Sequence, residues 1–306
     1  MSRPSLVHQV NLAFKSLDCI GRSKAARKKS KKPLTGIYTG QTMKNYINWC
    51  CTFVHWAREN HGIKHLAELN RDIGRAYFAQ LQEKDCSPYT MKSIRSALYK
   101  LELGIARAFH YRVRIVPKDL FLPKCSVKGR RDRFAYAEEQ VRQILSYACN
   151  VNLAASLVLT VQSRFGLCIS EALKLRKTDV HLDRNALVVW RGKGGRLREV
   201  PIETPEQREL LSLLCRDKDE MDLLFPGLTV REVERVLEKA CALSGIEVHK
   251  THNLRHHYAV KQYGEKVSRG ETDRQARKEV SQLLGHNRVG VTYAYAPPRI
   301  RPRQDI

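Results

Sequence analysis

The stretch Thr251-His252-Asn253-Leu254-Arg255-His256-His257-Tyr258, followed further along by Leu284-Gly285-His286-Asn287-Arg288-Val289-Gly290-Val291-Thr292-Tyr293-Ala294-Tyr295, decides how this chain is read. It gathers imidazoles, a guanidinium and a phenol into one C-terminal segment. A phenolate can become a covalent nucleophile, an Arg fork can grip two phosphate oxygens, and His can donate a proton or a hydrogen bond. Together these residue types suit attack on a phosphodiester. His252 and Arg255 are three apart, so a helix would place both on one face, able to converge on a single phosphate. Each signal taken singly is weak: His and Arg three apart are common on surface helices, and Tyr293 and Tyr295 alone read as packing aromatics.

Composition points to a polyanionic partner. The 306 residues carry 55 Lys+Arg against 31 Asp+Glu, a formal net charge of +24. Each phosphate neutralised releases counterions, so such an excess favours nucleic acid and makes affinity steeply salt-dependent. A hydrophobic content of 42% is enough for buried cores, which separates the chain from a disordered basic tail, and its length suggests two domains. Its nine cysteines are scattered without a Cys-x-x-Cys pair, and no secretory signal precedes the first helix-like segment. No run approaches the ~18 uninterrupted apolar residues that a spanning helix needs. The expectation is a protein of a reduced bacterial cytoplasm, associated with the nucleoid when bound, with free thiols and no membrane partner.

The periodicity predicts helices through most of the chain. Leu6, Val7, Val10, Leu12, Phe14 and Leu17 fit a short first helix. Residues 21–32 hold Arg22, Lys24, Arg27, Lys28, Lys29, Lys31 and Lys32 with no acid, so 1–34 reads as a basic N-terminal segment. That run is either a solvated loop or a flexible arm laid along a DNA backbone. Residues 35–115 read as a helical bundle: 42–60 and 70–83 are amphipathic, and Ser87-Pro88 opens a helix whose stripe is Met91, Ile94, Leu98, Leu101, Ile105 and Phe109. Pro117 and Pro123 with flanking charges, Arg130 and Arg131 among them, make 116–133 a basic linker. The second domain, 134–306, is again mostly helical. Its small antiparallel sheet is a hairpin around Gly192-Lys193-Gly194-Gly195, with Arg191, Arg196 and Arg198 flanking the turn as candidate DNA contacts beside Lys28, Lys29, Arg130 and Arg131. A lysine on such a turn is usually solvated, yet in a groove it can protonate a leaving oxygen.

Taken in this order and at these intervals, the boxes resemble the tyrosine recombinase family, the phage integrases and Xer-like recombinases. That family's catalytic domain carries a Gly-Leu-Arg-x-Ser-Glu box, a hairpin lysine, a His-x-x-Arg box, a Leu-Gly-His box and a tyrosine nine residues past that last histidine. Here the corresponding residues are Gly166-Leu167-Cys168-Ile169-Ser170-Glu171, Lys193, His252 with Arg255, Leu284-Gly285-His286, and Tyr295. The resemblance runs from about Thr35 onward and implies a two-domain DNA clamp, in which 35–115 is a core-binding, SAM-like DNA-binding domain and 134–306 the catalytic domain. It also implies a site-specific recombinase that integrates or excises a mobile element through a 3′-phosphotyrosyl intermediate. Tyr295 would then be the nucleophile, with Arg255 on the phosphate, His252 assisting proton transfer, His286 hydrogen-bonding the phosphate and Lys193 as the acid. The implied partners are double-stranded DNA, a homotetramer on two recombination sites, and accessory DNA-bending proteins. No cofactor is expected.

One position departs from the pattern. Where the family has its first arginine the chain has Cys168, which supplies neither a permanent charge nor a fork of donors. Arg164, four residues earlier, would lie one helical turn away and could reach into the site as a substitute. Otherwise the enzyme is impaired, or the protein is a DNA-binding accessory or regulatory factor that does not cut. Metal catalysis is not expected: His61/His65 and His252/His256 are each four apart but lack an interposed acid or nearby cysteine ligands.

Overall fold

The computed structural model describes residues 5–31, 33–123, 135–192, 196–285 and 293, with the side chains at 25, 28, 191, 192 and 196 outside that description. Lys193, His286, Tyr295, Arg130 and Arg131 therefore lie outside the described residues, as do the side chains of Lys28, Arg191 and Arg196. The fold is mostly helical with one three-stranded antiparallel sheet. The chain divides into two compact units, Met1–Arg130 and Arg131–Ile306. Among the described residues no helix is long and apolar enough to cross a membrane.

The first unit contains α1 (Leu6–Lys15), α2 (Lys24–Lys29), α3 (Gly40–His61), α4 (Arg71–Glu83) and α5 (Pro88–Ala108). Its helix ends are written in the sequence. The Ser87 hydroxyl accepts from the Thr90 N–H with Pro88 at the first helical position, and Asn70 accepts from the N–H groups of Asp72 and Ile73. Gly62 closes α3 at φ +66°, a conformation that costs a side chain dearly and glycine little. Val10, Ala13 and Phe14 of α1, Phe53 and Val54 of α3, and Leu98, Leu101 and Ile105 of α5 form the core.

The structure adds detail to residues 1–34: the expected short first helix is α1, which packs on both α3 and α5 and supplies core residues. Within the basic run, 24–29 forms a helical turn and a half instead of an extended loop, with Lys29 exposed. Buried polar groups fasten the loops. The Glu102 carboxylate, 5% exposed, accepts from the N–H groups of Ile115 and Val116 at 2.6 and 2.8 Å, standing in for the partners a strand would provide.

The second unit holds α6 (Glu138–Val151), α7 (Leu153–Phe165), α8 (Ile169–Ala172), β1 (Val180–His181), β2 (Ala186–Gly192), β3 (Arg196–Pro201), α9 (Pro205–Cys215), α10 (Val230–Ser244), α11 (His252–Ser268) and α12 (Asp273–Leu283). The sheet order is β1-β2-β3, with Val189 opposite Arg198 and Leu187 opposite Val200, and an irregularity between Val189 and Gly192. Helices α6, α7 and α10 pack against one another, and their buried residues share one core with Leu187, Val189 and Val200. A smaller cluster of Tyr258, Ala259, Tyr263, Ala276, Val280 and Leu284 joins α11 to α12.

Close backbone approach at Gly74 sets the packing of the first unit. A methyl group there would lie 1.9 Å from the Ile115 carbonyl oxygen, whereas one at Gly264 in α11 meets nothing within 4 Å. Gly74→Ala is expected to destabilise the protein by about 1–3 kcal/mol through overpacking. Gly264→Ala should be neutral or stabilising by up to about 1 kcal/mol from helix propensity. Thermal and denaturant unfolding of the full chain, followed by circular dichroism, checks both.

Candidate active site

The segment after α7 cannot continue the helix. Gly166 turns left-handed at φ +62°, and a methyl group there would sit 2.3 Å from the Tyr258 ring. The tight contact lets α11 lie against this turn, so that the Arg255 guanidinium donates to the Gly166 carbonyl at 2.6 Å. Two residues on, Cys168 caps the short helix α8, and its N–H donates to Glu171 Oε2 at 2.9 Å.

Glu171 is the point where the boxes meet. Its side chain is 6% exposed and accepts from both ends of the Arg198 fork, Nη1 to Oε1 at 3.0 Å and Nη2 to Oε2 at 2.7 Å. Arg255 Nη1 approaches the same carboxylate at 3.3 Å from the opposite chain segment. Burial alone would push the carboxyl upward. The Arg198 hydrogen bonds and charge, the Arg255 charge and the Cys168 N–H overcome this and hold it down to about 2. Two guanidinium groups around one carboxylate leave this cluster a net charge of +1 at neutral pH.

Both arginines also reach the end of α12, whose last carbonyls have no intrahelical donor. Arg198 Nε donates to the Leu283 carbonyl at 2.9 Å, and Arg255 Nη2 donates to the Leu284 carbonyl. Gly285 follows at φ +67°, where a methyl group would come within 3.1 Å of Arg198 Cδ. The segments 166–171, 252–255 and 283–285 thus converge on one carboxylate, and the hairpin enters the cluster through Arg198.

The expected site residues fall in different places. Arg255 is buried at 1% exposure, while His252 at the start of α11 is exposed, its ring 4.9 Å edge-on from that of His256. Arg198, read from sequence as a DNA contact, is buried in the ion pair with Glu171. The strand parity explains this: Arg198 alternates with exposed Leu197 and Glu199 and shares the inward face with Val200. That parity was available in the sequence and is the signal that identifies the residue.

Arg164 also departs from expectation. The helix that carries it ends at Phe165, so it does not stand one helical turn from Cys168. Its exposed side chain donates to the Glu206 carbonyl at 3.0 Å and lines a cavity of about 950 Å³ with Glu203, Glu206, Glu265 and Arg269. His257 is structural, its Nδ1 2.8 Å from the Tyr136 carbonyl and its Nε2 3.4 Å from Glu138. Among the described residues no group of three or more His, Cys, Asp or Glu side chains is placed to hold a metal ion.

Comparison with known proteins gives the family independently of this geometry. Residues 135–299 match the phage integrase family. The chain is 30% identical over 265 residues to the tyrosine recombinase XerA of Thermococcus kodakarensis, covering 83% of each protein. Its fold is similar to a lambda integrase dimer bound to a COC′ core site, with a TM-score of 0.66 at 17% identity, covering 99% of this chain and 80% of that one. It is also similar to the XerH site-specific recombinase bound to difH substrate, with a TM-score of 0.61 at 17% identity and coverage of 98% and 96%. The chain belongs to the phage integrase family of DNA recombinases, the tyrosine recombinases.

The Glu171 cluster has a measurable signature. A carboxyl depressed to about 2 from the ordinary 4.5 contributes stability that is complete above pH ~4.5 and is lost as pH falls toward ~2. Glu171→Gln is expected to remove that part of the acid-side slope. At neutral pH it should cost about 3–5 kcal/mol by leaving two buried guanidinium groups uncompensated. Denaturant unfolding across pH 2–7 reads both effects against wild type.

Proposed function

We propose that this protein is a site-specific recombinase that cleaves and rejoins duplex DNA to integrate or excise a mobile element. The convergence of 166–171, 252–255 and 283–285 on Glu171 carries this reading, because it gathers the separate boxes of the family around one cationic cluster. Family membership, the net charge of +24 and the DNA-bound state of the similar integrase and XerH structures support it further.

In this mechanism the Tyr295 phenolate attacks a backbone phosphorus, forming a 3′-phosphotyrosyl bond as the bond to O5′ breaks. His252 assists removal of the phenol proton. Lys193 delivers a proton to the departing O5′, releasing a 5′-hydroxyl. Arg255 and His286 hold the non-bridging oxygens, and Glu171 fixes the orientation of Arg255. The 5′-hydroxyl of a partner strand then attacks the phosphotyrosine and restores the phosphodiester. The linkage conserves the energy of the broken bond, so no nucleotide is consumed. Lys28, Lys29, Arg130, Arg131, Arg191 and Arg196 would contact the DNA backbone, with 35–115 as the core-binding domain and 116–133 as a basic strap. The assembly is a homotetramer on two sites in the cytoplasm, with accessory DNA-bending proteins.

Cys168 favours a second reading, a DNA-binding accessory factor on the same scaffold. A thiol in place of a guanidinium removes a transition-state donor, a loss of about 10²–10³ in rate. A suicide substrate nicked beside the cleavage point separates the two. The recombinase reading expects a covalent protein–DNA adduct that disappears in Tyr295→Phe. Cys168→Arg should accelerate adduct formation, by about 10²-fold if the donor is fully restored. Sequence-specific binding with no adduct in wild type or in Cys168→Arg would establish the accessory factor instead.

A further inference from the structure

Among the described residues the mechanism leaves one fully buried cation unused. Arg277, on the inner face of α12 with Ala276 and Val280, has no solvent exposure. A buried guanidinium is costly unless it is paired and hydrogen-bonded. Its Nε contacts both oxygens of Asp273, one helical turn earlier, at 2.9 and 3.0 Å, and Asp273 also accepts from the Tyr263 hydroxyl at 2.6 Å. These bonds hold the Asp273 carboxyl below its ordinary value, the Arg277 hydrogen bond being the largest cause. The guanidinium carbon lies 4.7 Å from the ring centroid of Tyr263 and 4.1 Å from that of Tyr293. The cation is therefore contacted by one ring from α11 and a second from beyond α12.

The second ring matters because of where it sits in the chain. Tyr293 is 42% exposed and packs on Arg277 of its own chain, and Tyr295 follows two residues later. Two residues span at most about 7 Å of extended chain. Whatever fixes the Tyr293 ring therefore limits where the Tyr295 phenol can go. We infer that Arg277 is a positioning residue: its cation–π contact with Tyr293 anchors the segment that carries the nucleophile to α12 of the same protomer. Tyr263 and Asp273 form the rigid back of that anchor. The inference rests on the reading of Tyr295 as the nucleophile, but the anchoring contact itself does not.

A cation–π contact between a buried guanidinium and a half-exposed ring shifts such a docking equilibrium by about five- to tenfold. Misplacing a reacting group by about 1 Å can itself cost on the order of 10²-fold in rate. The test uses the full-length protein with Tyr293→Ala, Tyr293→Phe and Arg277→Met. Two quantities are read: the rate of adduct formation at saturating nicked DNA, and hydrogen–deuterium exchange of the peptide spanning 286–296. Tyr293→Ala should slow the adduct step tenfold or more with DNA affinity unchanged, and should speed exchange of the peptide. Tyr293→Phe keeps the ring and should restore both. Arg277→Met should follow Tyr293→Ala where it folds; because Tyr293 is half exposed, its own substitution keeps the test sound if the buried arginine proves essential for folding. Unchanged exchange in Tyr293→Ala overturns the inference, and so does faster exchange with an unchanged adduct rate. Wild type that forms no adduct while Tyr293→Ala still speeds exchange would sink the nucleophile reading and leave the anchor standing.

Discussion

A carboxylate shut away from water between two guanidinium groups constrains everything around it. Glu171 cannot lose either partner cheaply, since a buried charge without compensation costs several kcal/mol. Its neighbours are drawn from α8, β3 and α11, and the two arginines continue to the final carbonyls of α12. Four separate pieces of chain are thus registered against one another by directional bonds instead of by apolar packing alone. Apolar burial sets the stability of the second unit, while this ionic junction sets the relative position of its functional boxes.

The same junction gives a physical meaning to Cys168. Its backbone N–H still serves the carboxylate, so the local turn is preserved although the side chain has changed. The charge around Glu171 is also positive overall, because Arg198 and Arg255 both face it. A guanidinium placed at 168 would meet an intact local turn, because the Cys168 N–H and not its side chain holds Glu171 there.

Much of the fold was legible in the residues. The 3–4 spacing of Met43 through Ala57, the Ser87-Pro88 start and the two β-rich runs that pair as β2 and β3 all became the expected elements. The failures have physical causes. The two-residue strand β1 is too short to show alternation, and α2 is too basic to display an apolar face. Arg198 was read by its charge when its alternation with Val200 held the better information. Arg164 was placed by counting residues along a helix that Gly166 ends. The box residues Cys168, Glu171 and Arg255 were legible; the clasp of Arg277 by two rings was not, since cation–π partners on separate elements leave no local pattern.

The bonds from Arg198 and Arg255 to the carbonyls of Leu283 and Leu284 have a mechanical consequence. In the sequence β3 begins three residues after Lys193, and Leu284 precedes Tyr295 by eleven residues. β3 and the exit of α12 therefore share one strut, joined at Arg198. A displacement of the hairpin pulls on the exit of α12, and strain at that exit is felt in the strand. Strand and helix exit are yoked by that one guanidinium, so an event that tilts one tilts the other.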